Sequence, residues 1–450
     1  MSNNFKKILL LSSLISFCSE KIFSIDNAHF YKTPNLHSRP TDCKFDGKKH
    51  YSIQDWYTKI DINYGYGDTK KCWDCNSEST TLLNRIGNQK MAYLDSGLID
   101  VTPITQELSP YTSFLLQARN YIAQNPKSKI CELAFDGKFE INELNLDLRQ
   151  NIISGLFVQL LVPVRQVEIK QIKYIDQSDL TDPFFTTRQD LAHTTTWESL
   201  KTNLNTILNS YGIQNYNQSI KKTNFGDITL LVGWQGYPCS NDKPAIDIGL
   251  ELKLGLLFPA GSNLNPNYIF SIPTGYDGHW GVTFQGQANL EYQKWLYLAA
   301  HASSTFFMTE RKTKLLKTDS LQQGFIKLAR GRVKSDAGLL WHIGIDAKLD
   351  HIFKGFSALV GYSYNRQEAE KLSHVGDYFD QSIIDTDLSF YQWSMNTAHF
   401  MIDYDFSVHM PNSKFAPRVN IFYNLPFSGK NSFKTDMIGG GLGCDIRWIF

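Results

Sequence analysis

The chain has 450 residues, and its 45 basic and 44 acidic side chains give a formal charge of +1, a balance in which nothing points to nucleic acid. Aromatic residues make up 13 % and charged residues 20 %, and the mean hydropathy is −0.30. That mixture fits strands rich in Tyr, Phe and Trp, which can run long as one closed all-β unit, better than a bundle of membrane-crossing helices.

Residues 1–24 read as an export signal, with Lys6 and Lys7 ahead of an apolar stretch, Ile8 to Phe17, too short to span a bilayer. Cys18 raises a lipoprotein signal, but Phe17 stands where that signal needs a small residue. Cleavage after Cys18 or after Ser24 satisfies the small-residue requirement equally. Residues 25–54 follow as a periplasmic N-terminal segment, and 55–450 as the body of the protein. No later run reaches the roughly 18 apolar residues of a transmembrane helix, so periplasm, exterior and outer membrane remain as destinations.

"WYTKIDINYGY" (Trp56 to Tyr66) sets Trp56, Thr58, Ile60, Ile62, Tyr64 and Tyr66 on one face and Lys59, Asp61, Asn63 and Gly65 on the other. That is the period of a strand. The next stretch, 67–132, is a long first loop or plug. Its "CWDC" (Cys72 to Cys75) would suggest a redox or metal site in a reducing compartment, but an exported chain favours disulfides. Cys72 or Cys75 is expected to pair with Cys131, and Cys43 with Cys239, while Cys444 reads as a small apolar filler on the lipid face.

Weaker alternation marks strands near Phe135 to Leu148, Leu156 to Tyr174 and Gly226 to Gln235. Between the last two lies a second long loop, 175–225. There Thr195 and Glu198 have capping-box spacing, Trp197, Leu200, Leu204, Ile207, Leu208 and Tyr211 recur at helical spacing, and Gly212 supplies a stop. An amphipathic helix is expected, on the barrel rim, on a membrane surface or in the lumen.

"IDIGLELKLGLLF" repeats the two-residue period, with Ile246, Ile248, Leu250, Leu252, Leu254, Leu256 and Phe258 facing away from Asp247, Glu251 and Lys253. Further strands are expected at Trp280 to Tyr292, Trp295 to Met308, Gly338 to Asp350, Phe356 to Tyr364, Gln392 to Val408, Arg418 to Leu425 and Ile438 to Phe450. The connections alternate long and short, the layout of a transmembrane barrel with long loops on one side. The fold class is therefore all-β: an antiparallel transmembrane β-barrel of about twelve strands, with a short helix in one loop. A soluble sandwich or propeller is the competing reading, and the one-sided loop bias counts against it.

In such a barrel the polar faces line the lumen. They bring together Lys59, Asp61, Asn63, Asp247, Glu251, Lys253, Thr283, Gln285, Gln287, Asn289, Glu291, His342, Asp346, Lys348, His399, Asp403, Asp405, Arg418, Asn420, Asp445 and Arg447. Mixed signs suit ion-pair networks or a weakly selective aqueous pore. If first and last strands close the barrel, Asp445 and Arg447 lie near Lys59 and Asp61. Trp280, Tyr292, Trp295, Tyr297, Trp341, Trp393, Tyr404 and Trp448 near strand ends suit interfacial girdles.

Enzymatic use is read against. "HASS" places His301 and Ser303 on one face without the following Asn-Gly context of outer-membrane phospholipase A, and His374, His399 and His409 have no recognisable partner motif. No cofactor and no metal site is implied.

The ending "MIGGGLGCDIRWIF", with Trp448 and Phe450 apolar at alternate positions, resembles the C-terminal signal read by the barrel-assembly machinery of Gram-negative outer membranes. The central stretch, with Gly226 and Asp227, Lys253, Pro259 and Gly261, and Trp280 and Gly281, resembles the fatty-acid and aromatic-hydrocarbon transporter group, including the phenol meta-pathway outer-membrane proteins; Ala260 replaces that group's usual Thr. The resemblance implies uptake of small, apolar solutes and an N-terminal hatch, for which residues 25–54 show no clear motif. The reading is an outer-membrane channel or transporter passing small solutes through a polar lumen, gated or plugged by its long loops. Its partners are outer-membrane lipid, the assembly machinery and a small solute. The alternatives are a structural or adhesive surface barrel with a blocked lumen and, third, an outer-membrane hydrolase.

Overall fold

The computed structural model describes residues 56–448 apart from 154, 187–190, 215–218, 237–245, 294, 375–377 and 411–412. The expected signal, the 25–54 segment, Cys43, Cys239 and Phe450 lie outside the described residues.

Twelve antiparallel strands close on themselves: β1 (Trp56–Thr69), β2 (Glu132–Ile153), β3 (Leu156–Asp176), β4 (Ile228–Gly236), β5 (Ile246–Phe258), β6 (Gly281–Tyr292), β7 (Leu296–Phe307), β8 (Leu340–Phe353), β9 (Phe356–Gln367), β10 (Trp393–Asp405), β11 (Phe415–Lys430) and β12 (Asp436–Trp448). Each pairs with its chain neighbour, and β1 pairs with β12 from Trp56↔Trp448 to Asp68↔Asp436. Closure leaves no free edge among them.

The faces are inverted relative to a soluble protein. In β5 the buried positions include Asp247 and Glu251, and the exposed ones are Ile246, Ile248, Leu250, Leu252, Leu254 and Leu256. An outside this apolar suits a bilayer. Leu252, at the centre of β5, is 60 % exposed. Leu252→Arg is expected to destabilise the barrel by about 2–4 kcal/mol, the cost of Arg near the bilayer midplane, read as a lower urea midpoint in vesicles.

Polarity also reverses along the longest hairpin. In β2, Glu143, Asp147 and Arg149 face in and Leu144, Leu146 and Leu148 face out; toward the loop end, Phe139 and Ile141 face in and Glu140 and Asn142 face out. In β3 the switch falls between outward Val164 and outward Gln166, directly across from it. This marks the membrane edge. Beyond it the hairpin rises out of the barrel, since β1 ends at Thr69↔Phe139, and Lys138 bridges Asp68 and Glu140 while Lys170 pairs with Glu140 on its outer surface.

The long loops fold into one cap over that end. Its core takes Leu82, Leu83, Met91 and Leu98 from the first loop, Phe114, Leu115 and Ala118 from helix α1 (Thr112–Gln124), and Trp197, Leu200, Leu204, Ile207 and Leu208 from helix α2 (Leu191–Ser210). Ile269, Phe270, Phe325 and Ile326 from later loops join it, and so do the inward Phe139, Ile141, Val167 and Ile169 of the barrel. Helix α2 starts ahead of the expected Thr195 cap, and Gly212, at φ +70°, closes its C-terminal end with Ile213 N–H donating to Leu208 O. Loops are cross-tied. Gln89 exchanges two hydrogen bonds with the Ile326 backbone, Arg330 donates to Asn267 Oδ1 and Gly212 O, and Lys314 pairs with Glu370. Helix α1 and the three-stranded sheet of Glu310–Leu316, Ala329–Asp336 and Lys371–His374 were not expected from periodicity.

The expected disulfide from Cys72 or Cys75 to Cys131 is not formed; all three are free thiols. Cys72 is packed in the cap core, donating to Thr81 O and Leu82 O, and burial pushes its thiol up to about 12. Cys72 and Cys131 are therefore expected to react with a thiol reagent only after denaturation. The girdle also needs correction: Trp393 faces inward and donates to Gln367 Oε1, and Tyr297 donates to Glu291 Oε1, whereas Trp280, Trp341 and Trp448 are exposed near strand ends.

Candidate functional site: the barrel interior

The inward side chains form three polar clusters and one apolar band. At the seam, Lys59 lies directly across from Asp445, and Arg418 Nη1 donates to Asp445 Oδ2 at 2.8 Å. Asp61 takes Arg418 Nη2 at 3.0 Å and has Lys59 Nζ 3.6 Å away. Asn420 donates to Asn63. β12 makes room for this cluster with glycines: a Cβ on Gly443 would sit 2.1 Å from Asp61 Oδ1, and one on Gly441 2.0 Å from Asn63 Oδ1. Arg447 sits opposite Tyr57, and its side chain is outside the described residues. Among the described side chains, Arg418 joins Asp61 and Asp445 across the seam, with Lys59 beside Asp61.

A second cluster lies against β2 to β5. Arg149 donates to Glu251 at 2.9 Å and to Gln235, and stacks its guanidinium 3.6 Å from the Phe157 ring centroid. Lys253 reaches the other oxygen of Glu251 at 2.6 Å, and Gln159 donates to both oxygens of Asp147. Nearer the cap, Arg165 pairs with Glu143 at 2.9 Å and donates to Thr274 O.

The third cluster covers β6 to β10. Gln287 donates to Asn289, Thr305 to Thr283, and Lys348 spans Asp350 and Asp403 at 3.3 and 3.5 Å. Asp405 lies 3.8 Å from His351. His301 Nε2 is 2.9 Å from Asp346 Oδ2, its Nδ1 is 2.8 Å from His342 Nε2, and His342 Nδ1 is 2.8 Å from Asn365 Oδ1. A Cβ on Gly361 would fall 1.8 Å from Asp346 Oδ1, so that carboxylate lies flat over β9. Between this cluster and the seam runs the apolar band: Leu359, Met401 and Phe422 share one rung of β9, β10 and β11, and with Met437 they join the cap core.

Most expected interior residues are buried, including Lys59, Asp61, Asn63, Asp247, Glu251, Gln287, Asn289, His342, Asp346, Asp403, Asn420 and Asp445; Gln285, Lys253, Lys348 and Arg418 are partly buried. Sequence reading missed Glu143, Asp147, Arg149, Gln159 and Arg165, although "ELNLDLRQ" carries the same alternation, and it missed the side chains of β9 and β11 that meet His342 and His399. Outside, a groove of about 740 Å³ crosses β4 to β8, floored by Gly286, Ala302 and Ser304 and flanked by Trp234, Phe284 and Trp341. It faces the bilayer.

No family model matches the sequence, and no curated protein does. Among solved structures the chain is similar to an outer membrane channel of Pseudomonas putida F1, at 9 % identity over 90 % of this chain and 100 % of that one with TM-score 0.44. It is similar to the Pseudomonas putida toluene transporter TodX at 9 % identity, covering 95 % and 100 %, with TM-score 0.31. The beta domain of the Bordetella autotransporter BrkA gives 8 % identity, 88 % and 100 % coverage, and TM-score 0.32. None of these likenesses bears on what this barrel does; its closed meander rests on its own strand pairings.

Proposed function

We propose that the chain is a bacterial outer-membrane channel or transporter that passes small solutes through the barrel, with the loop cap as its gate. The observation that carries this reading is the two-sided interior. Charged clusters line the wall on either side of the Leu359, Met401, Phe422 and Met437 band, which runs to the underside of the cap. A structural barrel needs only satisfied polar pairs inside. An apolar strip beside them offers a path to a solute with an apolar part and a polar handle. Export, and assembly guided by the ending at Trp448 and Phe450, belong to the same reading.

The second reading, a surface barrel with a blocked lumen, is favoured by the burial of the interior side chains and the cross-tied loops. Vesicles loaded with the refolded chain separate the two. Uptake of a small phenol, or discrete conductance steps in a planar bilayer, supports passage. Verified insertion with neither uptake nor steps, in the intact chain and in a cap-loosened variant alike, sinks it.

A further inference from the structure

His399 finds its partners only in three dimensions. Its Nδ1 lies 3.0 Å from Asn424 Oδ1, and its Nε2 lies 2.7 Å from Ser363 Oγ. The amide oxygen can only accept, so the proton sits on Nδ1 and leaves the Nε2 lone pair facing the serine hydroxyl. That is the tautomer a general base requires. All three are buried, Ser363 and Asn424 at 0 % and His399 at 2 % exposure, on β9, β10 and β11.

We propose that Ser363, His399 and Asn424 form a nucleophile, base and orienting amide on the inner wall, able to hydrolyse a small carboxylic ester with an apolar acyl group. Three features around the set fit acyl transfer. Thr397 stands directly across from Ser363, is fully buried, and its hydroxyl has no hydrogen-bond partner; the Asn424 amide nitrogen has none either. Of these, the Thr397 hydroxyl, on the residue paired with Ser363, is the donor on the nucleophile's side of the ring available to an oxyanion. One step toward the short-turn end of the barrel, Leu359, Met401 and Phe422 supply an apolar rung for the acyl chain. Asp346 lies over Gly361, the residue across from His399, where its charge favours the imidazolium formed during attack. The remaining contact of Ser363 Oγ is Asn365 Nδ2 at 3.4 Å, which continues to His342 and His301.

In the first step Ser363 Oγ bonds to the ester carbonyl carbon and its proton moves to His399 Nε2. The bond from that carbon to the alcohol oxygen breaks, and the alcohol leaves with that proton. Water, deprotonated by His399, then cleaves the acyl-serine and returns the hydroxyl. No other reactant is needed.

The test uses the refolded full barrel and a small alkyl fluorophosphonate, which bonds phosphorus to an activated serine oxygen and releases fluoride. Peptide mass spectrometry is expected to place the adduct on Ser363, with the rate falling about 100-fold or more in His399→Ala. Thr397→Val should slow hydrolysis of a nitrophenyl butyrate while Thr397→Ser retains it, a split that mere packing would not give. Gel mobility and circular dichroism confirm closure of each variant. Ser363→Cys measures access through a small methanethiosulfonate: labelling of that variant's thiol, alongside an unphosphonylated wild-type serine, overturns the proposal. A Ser363→Cys chain that stays unlabelled overturns it as well, because nothing then reaches the site.

Discussion

Arg418→Glu is expected to prevent the barrel from closing. Arg418 is held by both Asp61 and Asp445, three strands that meet at the seam, and the carboxylates are buried. Reversal would set a third carboxylate between them with Lys59 as the nearby cation. Breaking a buried pair from one side costs about 3–5 kcal/mol, and juxtaposed like charges add to it. Against a total stability of about 5–15 kcal/mol that is enough to abolish folding. The expected readout is loss of the compact, heat-modifiable band after refolding into vesicles. Asp61→Arg in the same background should recover much of it, and Arg418→Lys should fold with a modestly lowered urea midpoint, since a point charge replaces a fork. An Arg418→Glu chain that refolds with an unchanged midpoint would refute the seam as the closing element.

All twelve barrel strands were legible, because their alternation follows from a bilayer outside and polar groups inside. The weakest were β2 and β3, for a physical reason: their faces exchange polarity at Asn142 and Gln166, so a window spanning the rim averages the signal away. The nearness of Asp445 to Lys59 was legible once the first and last strands were taken to close the barrel. The choice of Arg418 was not, since β11 reaches Asp61 across β12 only because Gly443 leaves the space. Helix α2 of the cap was legible from the spacing of Trp197 to Tyr211, but the rest of the cap escaped sequence reading for the same kind of reason. Outside α2 its core is assembled from side chains of different loops, each too sparse in apolar residues to show a period. The disulfide expectation rested on compartment and spacing alone, whereas Cys72 and Cys131 are used as small buried groups. His399 looked isolated because its partners lie 36 residues before and 25 after it.

Trp197→Ala should release the cap without opening the barrel. Trp197 is fully buried in α2, and its Nε1 donates to Asp176 Oδ2 at 2.8 Å, where the hairpin of β2 and β3 ends. Lys201 reaches the same oxygen at 2.6 Å. Removing the indole costs about 3–5 kcal/mol, charged almost wholly to the cap, because the wall's own ladder is untouched. Protease should then cut within 175–225 while the heat-modifiable band persists, and conductance steps should become more frequent if the cap is the gate. Acid should act on the same joint. Burial alone would raise the Asp176 carboxyl, but Lys201, Ser178 and Trp197 outweigh it and hold it below its ordinary value. A carboxyl lowered in the folded state stabilises above its unfolded pKa of about 3.9 and loses that contribution as pH falls further. Wild-type protection of the loop should therefore decline below about pH 4, and Asp176→Asn should lack that decline. Cleavage of 175–225 with no change in conductance would separate the cap from the passage and leave the blocked surface barrel as the better account.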